Sequence, residues 1–368
     1  MSETFETGDF RIPVTVLTGF LGSGKTTLLN HWVKQPGMGD CAVLINEFGA
    51  VGLDHHLVEK LDDNVVMLES GCICCSVQGD LVNALRDLFM RAMRREIKPF
   101  QRVLIETTGL ADPGPVLYTL RQDPFFSQRY RFDGTVTVVD VCHIQQQLTQ
   151  QYEAVKQVAL ADLLILSKSD LADFGTLPEV ESLLAKINPM APRHIAIKGE
   201  LDSQILSQNG PFGQGMQRDP AEIRRWLQGA VSTLGLASPM KPVKLSSTAG
   251  LAAAPTPMNA HSDIMSFCLH YDKPIETRRF MEGLRAVQMR YPERLLRFKA
   301  ILWLEEQSEP VVVHGVHDQI YPIMNLPAWP NGTPTSELVF IMKQTDEEEV
   351  ASMLEEEFFP AYPRFQYQ

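Results

Sequence analysis

The sequence is poor in cysteine and in net positive charge, and it has no long apolar run. Only six cysteines fall among 368 residues, at uneven spacings. A secreted disulfide framework is denser and paired, so the chain reads as cytoplasmic, with its thiols reduced. The formal charge is −12. A surface of that sign is poorly suited to displacing counterions from nucleic-acid phosphates or to docking on anionic lipid. Neither nucleic acid nor a membrane is therefore an expected partner. No apolar run approaches the roughly 18 residues that suggest a membrane span. The opening MSETFETGDF is acidic and lacks the basic-then-apolar order of a secretory signal. Internal repeats are absent as well.

What is present is an α/β pattern followed by a second, smaller one. The length predicts two domains, and a hydrophobic fraction of 44% is enough for sizeable cores. Short Val/Ile/Leu-rich runs at Val14–Thr18, Cys41–Asn46, Val65–Glu69, Val103–Glu106, Thr135–Asp140, Leu163–Ser167 and Ile195–Ile197 read as strands buried on both faces. Amphipathic stretches such as Thr26–Lys34, Leu81–Arg94 and Val180–Ile187 lie between them. The alternation predicts a largely parallel sheet covered by helices, in a domain spanning residues 1–235. Residues 236–263, rich in small residues and Pro, read as a linker. Residues 264–368 read as a smaller α+β domain, with strands at Ile264–Leu269, Arg297–Leu304, Val311–Val316 and Leu338–Met342. Its helices are expected at Thr277–Gln288 and from near Thr345, where Thr345 or Asp346 caps and Glu347 and Glu348 favour the first turn.

The segment VTVLTGFLGSGKTTLLN carries the strongest chemical signal. Gly19-x-x-x-x-Gly24-Lys25-Thr26 has the spacing of a phosphate-binding loop, with a strand before it and a helix after it. Glycines, Gly22 included, let backbone amides curl around phosphate oxygens. Ser23 and Thr27 belong to the same cradle. Lys25 is expected to reach the β- and γ-phosphates, and Thr26 to ligate Mg²⁺. An acid at the end of a neighbouring strand is needed to hold the magnesium or its water, and RVLIETTG puts Glu106 there, with Gly109 turning near the γ-phosphate. LLILSKSD ends another strand with Ser167-Lys168-Ser169-Asp170. A carboxylate at Asp170 can take two hydrogen bonds from guanine, a donor pair that adenine lacks, and the Lys168 stem can cover the ring. GTP is therefore the expected nucleotide. Ser167 stands where Asn or Thr is usual in such a motif, which allows looser selectivity.

Half of the cysteines crowd into ESGCICCSVQGD, at Cys72, Cys74 and Cys75. Neighbours such as Cys74 and Cys75 cannot bridge without strain. Thiolates are soft ligands suited to Zn²⁺, Cu⁺ and, with less preference, Co²⁺ or Ni²⁺. Three of them fall one short of a closed tetrahedral zinc site, and an open site suits a metal that must leave again. Redox-active thiols and a fixed structural zinc with a fourth ligand from elsewhere are the other readings of the cluster. The strand before it is expected beside the phosphate-loop strand. The remaining cysteines, Cys41, Cys142 and Cys268, read as buried apolar thiols.

Taken in order, LTGFLGSGKTTLLN, INEFGAVGLDHHL, ESGCICCSVQGDL, VLIETTGLADPGPV, VDVCH and LSKSD resemble the CobW family of P-loop GTPases, and more distantly the nickel-insertion GTPases. RLLRFKAILWL, PVVVHGVHDQIY and SELVFIM resemble the CobW C-terminal domain. The resemblance implies GTP hydrolysis coupled to delivery of a transition metal, with zinc foremost, to a client metalloprotein. It places Glu47 and Asp54 in a switch segment facing the γ-phosphate and Mg²⁺, beside Lys25 and Glu106 as catalytic residues. A nucleotide-dependent homodimer fits this class. The alternative is a nucleotide-gated protein chaperone for a cofactor-dependent enzyme, such as a cobalamin enzyme, with incidental zinc. The sequence departs from many members in Ala50 after NEFG and in a linker whose only histidine is His261.

Overall fold

The computed structural model describes residues 10–45, 73–111, 113–114, 116, 123–208, 264–320, 323–329 and 332–360, with the backbone alone described at 73–80, 207–208 and 319. The expected strand Val65–Glu69 and the expected linker lie outside these residues.

A six-stranded sheet has the order β2-β3-β1-β4-β5-β6, formed by Cys41–Ile45 (β2), Arg102–Glu106 (β3), Ile12–Thr18 (β1), Tyr130–Asp140 (β4), Leu163–Ser167 (β5) and Arg193–Ala196 (β6). β1 pairs in parallel with both β3 and β4, and β2 with β3. Burial on both faces explains the unbroken apolar runs: Val14 to Thr18 and all of β2 and β5 are buried. In register, Leu17 lies beside Glu106, and Ile45 lies on the other side of the same glutamate. Three strands therefore end level with one another.

Both flanks of β1 are taken, by β3 and β4. Two expectations need correction. β4 starts at Tyr130, not Thr135. Asp133 and Gly134 together oppose Thr15 as a bulge, and Gly134 takes φ 115°. The helix expected at Leu81–Arg94 runs from Ile73 to Met93 (α2, after α1 at Lys25–Trp32). Gly79, worth about 1 kcal/mol against a helix interior, hides its first two turns from a propensity reading.

The packing divides into two compact units. One comprises the described residues up to Asp140, with Ile165–Asp170 and residues 195–208; the other comprises Val141–Leu164, Leu171–His194 and the described residues from Ile264 onward. In the second unit an antiparallel sheet has the order β10-β9-β8-β12-β7, with β11 on β9. Its strands are Gln319–Ile320 (β10), Val311–Val316 (β9), Leu295–Leu302 (β8), Ser336–Lys343 (β12), Ile264–Tyr271 (β7) and Met324–Asn325 (β11). Helices Thr277–Arg290 and Glu347–Phe358 pack on one face, bringing Leu284 and Leu354 into one core with Phe267, Phe298 and Phe340 of the strands. Each such buried side chain contributes about 1.5–3 kcal/mol of transfer free energy. The helices approach so closely that a Cβ at Gly283 would lie 2.8 Å from the Phe358 ring. Asp346 caps the last helix, accepting from the Glu348 amide at 2.8 Å.

The other face of this sheet is polar yet covered. Arg297, Lys299 and His314 are buried on it. Arg297 donates to the Leu160 carbonyl at 2.6 Å and pairs with Asp162. Lys299 Nζ lies 3.9 Å from the same carboxylate. Ser266 donates to the Lys186 carbonyl at 3.0 Å, and Lys343 sits 4.0 Å above the Tyr152 ring.

Candidate nucleotide and metal site

The loop after β1 has the backbone its glycines allow. Gly19, Gly22 and Gly24 take φ values of 139°, 70° and 98°, where an L side chain is strained. At Gly19 a Cβ would also meet the Val138 carbonyl at 2.3 Å. Helix α1 begins at Lys25 with Gly24 as its N-cap. Its first amides therefore have no partner within the helix and face the loop, the arrangement that binds anions. Lys25 Nζ donates to the Gly19 carbonyl at 2.9 Å and the Phe20 carbonyl at 3.2 Å, so the ammonium is held over the cradle by the loop itself. Ser23 Oγ is buried and finds no hydrogen-bond partner among the described residues, an orphan that a phosphate oxygen would satisfy.

Thr26 and Glu106, expected to share a magnesium, are brought together: Thr26 Oγ1 donates to Glu106 Oε1 at 2.8 Å, with the glutamate buried. Hydroxyl and carboxylate oxygens form a hard donor set that fits Mg²⁺. The ends of β1 and β3 are locked by the Thr107 amide on the Leu17 carbonyl at 2.9 Å and by a buried Thr107–Thr18 hydroxyl bond at 2.9 Å. Gly109 lies against the phosphate loop, where a Cβ would stand 2.6 Å from the Leu21 nitrogen. No other residue type lets the two loops approach so closely.

Ser167 keeps a tether despite being the smaller residue at its motif position. Its hydroxyl lies 2.6 Å from the Ser23 carbonyl and 3.1 Å from that of Val139. Having one proton, it donates to one of them, and the shorter distance favours Ser23. Lys168, at φ 58°, reaches Asp140 Oδ2 at 2.7 Å, and Asp170 is exposed beyond it. Asp140 belongs to the VDVCH segment.

The turn after β6 escaped the sequence reading. Ile197 and Glu200 close it, Lys198 and Gly199 take φ values of 53° and 82°, and a Cβ at Gly199 would meet the Thr27 carbonyl at 2.9 Å. The Leu201 carbonyl then accepts from Trp32 Nε1 at 3.1 Å and Gln35 Nε2 at 2.8 Å, pinning the turn to α1. The signal was the Lys-Gly dipeptide at a strand end.

Of the expected metal and switch residues, Glu47, Asp54 and Cys72 lie outside the described residues. Cys74 and Cys75 fall in the first turn of α2 rather than in a loop before a later helix. α2 leads into β3, which runs parallel to β1. A 21-residue helix spans about 31 Å. It precedes, by one loop, the strand that ends at Glu106. Among the described residues no group of three His, Cys, Asp or Glu is disposed to hold a metal ion. The other cysteines divide: Cys41 and Cys268 are buried, but Cys142 is exposed, contrary to expectation, because it lies just beyond the end of β4. Burial pushes the Cys41 thiol up to about 12. Burial, aided by the Glu337 and Glu347 carboxylates, does the same at Cys268. No helix among the described residues is long and apolar enough to cross a membrane.

Comparison with known proteins bears on this arrangement. Residues 13–194 match the CobW/HypB/UreG nucleotide-binding domain, and residues 264–357 match the cobalamin synthesis protein CobW C-terminal domain. The zinc chaperone YjiA of Escherichia coli (strain K12) is 32% identical over 339 residues, covering 92% of this chain and 96% of that protein. The chain belongs to the CobW family of P-loop GTPases. Within the family, the crystal structure of Zn(II)-bound YjiA GTPase from E. coli superposes with a TM-score of 0.67 at 28% identity, over 93% of this chain and 98% of that one. A zinc-regulated GTPase metalloprotein activator of Schizosaccharomyces pombe is 37% identical over 204 residues, 53% of this chain and 48% of its own length. As a CobW-family GTPase the chain carries its phosphate loop and its strand-end acid in contact.

Proposed function

We propose that this GTPase is a metallochaperone whose cargo is zinc, held at Cys72, Cys74 and Cys75 and released to a client metalloprotein under nucleotide control. One observation carries the reading: Thr26 and Glu106, the residues that would hold Mg²⁺, touch at 2.8 Å, and the helix whose first turn carries Cys74 and Cys75 directly precedes, in the chain, the strand that ends at Glu106. The names of the zinc-chaperone relatives support the cargo. In this reading residues 1–235 carry the nucleotide chemistry and residues 264–368 recognise partners. The amides of Gly22 to Thr27 and the Lys25 ammonium hold phosphate oxygens. Asp170 accepts from the guanine edge, the Lys168 stem lies along the ring, and Ser167 fixes that loop to the phosphate loop. Thr26 and Glu106 would hold Mg²⁺, which when bound supplies charge for the developing negative phosphate oxygens. Glu47 and Asp54, which follow β2 in sequence, orient water or the ion. Loss of the γ-phosphate loosens the switch segment and, with it, the thiolate site that follows in the chain. A nucleotide-dependent homodimer belongs to the same proposal.

Zn²⁺ and Co²⁺ titrations against a competing chelator test this, run with a Mg²⁺–GTP analogue and with Mg²⁺–GDP, beside Cys74→Ser. The expected result is a large affinity drop from the GTP to the GDP state, approaching about 10⁴-fold for near-complete switching, and lost in the variant. Equal affinities in both states would overturn the coupling and leave the client-chaperone reading with incidental zinc.

A further inference from the structure

Cys268 and His270 lie on β7, the edge strand of the antiparallel sheet. Two apart on a strand, they share a face. Cys268 Sγ stands 3.4 Å from His270 Nε2, with the imidazole exposed and the thiol buried beside it. A tetrahedral zinc at ~2.3 Å from sulfur and ~2.0–2.1 Å from nitrogen holds two such ligands about 3.5 Å apart. The pair is thus spaced as two corners of one coordination sphere before any ion arrives. Nε2, one of the two ring nitrogens that ligate metals, is the one within reach of the sulfur.

The surroundings suit a cation that comes and goes. Across the β7–β12 pair, Glu337 stands directly opposite His270 and Val339 opposite Cys268. The Glu337 and Glu347 carboxylates both act electrostatically on the thiol. The opposing charge is Lys299, which shares the Cys268–Val339 row one strand farther on. No third His, Cys, Asp or Glu among the described residues joins the pair to make a closed site. Two ligands and an open side leave positions for water or for donors on another molecule.

We propose that Cys268 and His270 form a second metal half-site, separate from the Cys72–Cys75 cluster, for a soft or borderline divalent cation such as Zn²⁺. On binding, the thiol proton passes to solvent, sulfur and Nε2 each donate a lone pair to the ion, and no oxidation state changes. The site's existence is independent of the function proposed above; its use as a waypoint for cargo rests on that reading.

The test uses the full chain with Cys72, Cys74, Cys75 and Cys142 all changed to Ser, titrated anaerobically with Co²⁺ alone. The expected result is a thiolate-to-Co²⁺ charge-transfer band saturating near one equivalent. Cys268→Ser abolishes it, and His270→Ala weakens binding at least about ten-fold, within the range metal sites lose on losing a supporting group. Because His270 is exposed, its variant folds even if the buried Cys268→Ser does not. GTP affinity, read in parallel, stays unchanged in both. Absence of a thiolate band in the four-serine chain, or a band indifferent to His270→Ala, leaves only an S–H···N hydrogen bond and overturns the proposal. Failure of the Cys72–Cys75 cluster to bind metal in the otherwise native chain bears on the proposed function alone.

Discussion

In the parallel sheet Thr18, Glu106 and Ser167 stand at strand ends, whereas in the antiparallel sheet Arg297, Lys299 and His314 stand mid-strand on one face. The first arrangement leaves polar groups where loops and a ligand satisfy them, so they add function at small cost to the core. The second takes charges out of water, and the fold must supply their partners. Asp162 does so for Arg297, and its backbone neighbour Leu160 offers a carbonyl. Changes at strand ends should therefore alter activity and spare stability, and changes on the covered face should do the reverse.

The largest effect is expected from Arg297→Met. It leaves the Asp162 carboxylate buried without its guanidinium, with Lys299 Nζ at 3.9 Å. Stripping one partner from a buried pair costs roughly 3–5 kcal/mol, and the nearby ammonium puts this case at the lower end. The measurement is the denaturant midpoint at unchanged slope. An unmoved midpoint would break the comparison from this side. Next is Lys25→Ala, which removes the donor over the phosphate cradle. Hydrolysis should fall by about 10²–10³-fold, as for loss of one preorganised charge-stabilising donor. The midpoint should hardly move, and a variant as unstable as Arg297→Met would break it from the other side.

Ser167→Ala sharpens the contrast because its residue belongs to both categories: a strand end, yet buried. It removes the donor at 2.6 Å from the Ser23 carbonyl. A buried acceptor left unsatisfied costs about 1–3 kcal/mol. Nucleotide affinity should weaken, since the base loop and the phosphate loop lose their tether. Ser167→Thr retains the hydroxyl and should restore most of it. Equal affinities for the Ala and Thr variants would show that the tether is packing alone.

How much of this was legible follows from sequence distance. The phosphate loop, its strand and the Ser167–Asp170 loop are contiguous segments whose backbone demands appear as glycines and strand ends, so they read directly. The partners of those segments do not. Ser167 meets Ser23 across 144 positions, and Thr26 meets Glu106 across 80. RLLRFKAILWL reads correctly as a strand, but nothing in it tells that Arg297 and Lys299 are buried, because their carboxylate lies 135 residues before Arg297. Gly199 passed unnoticed for the same reason: its constraint is the Thr27 backbone. Cys142 misled because a thiol after an apolar strand looks buried, while β4 ends at Asp140.

The smallest effect is expected from Lys299→Met, and its sign is the informative part. Lys299 is fully buried; desolvation first, and then the Arg297 charge, hold its pKa well below the ordinary lysine value, against the opposing pull of Asp162. The unfolded chain therefore binds a proton that the folded chain has lost, over the window from the folded pKa up to about 10.4. Stability conferred by the group rises with pH through that window and is lowest below it, where the buried ammonium must be tolerated. Met fills a similar length without the charge, and Arg297 remains to pair with Asp162. The variant should be neutral or more stable at neutral pH, by up to about 1 kcal/mol. The rise in stability toward alkaline pH should flatten. Denaturant midpoints at a series of pH values, wild type beside Lys299→Met, read both effects. A variant destabilised at every pH would mean that the ammonium is held by its partners as tightly as Arg297, and that this face of the sheet carries two structural cations where the geometry favours one.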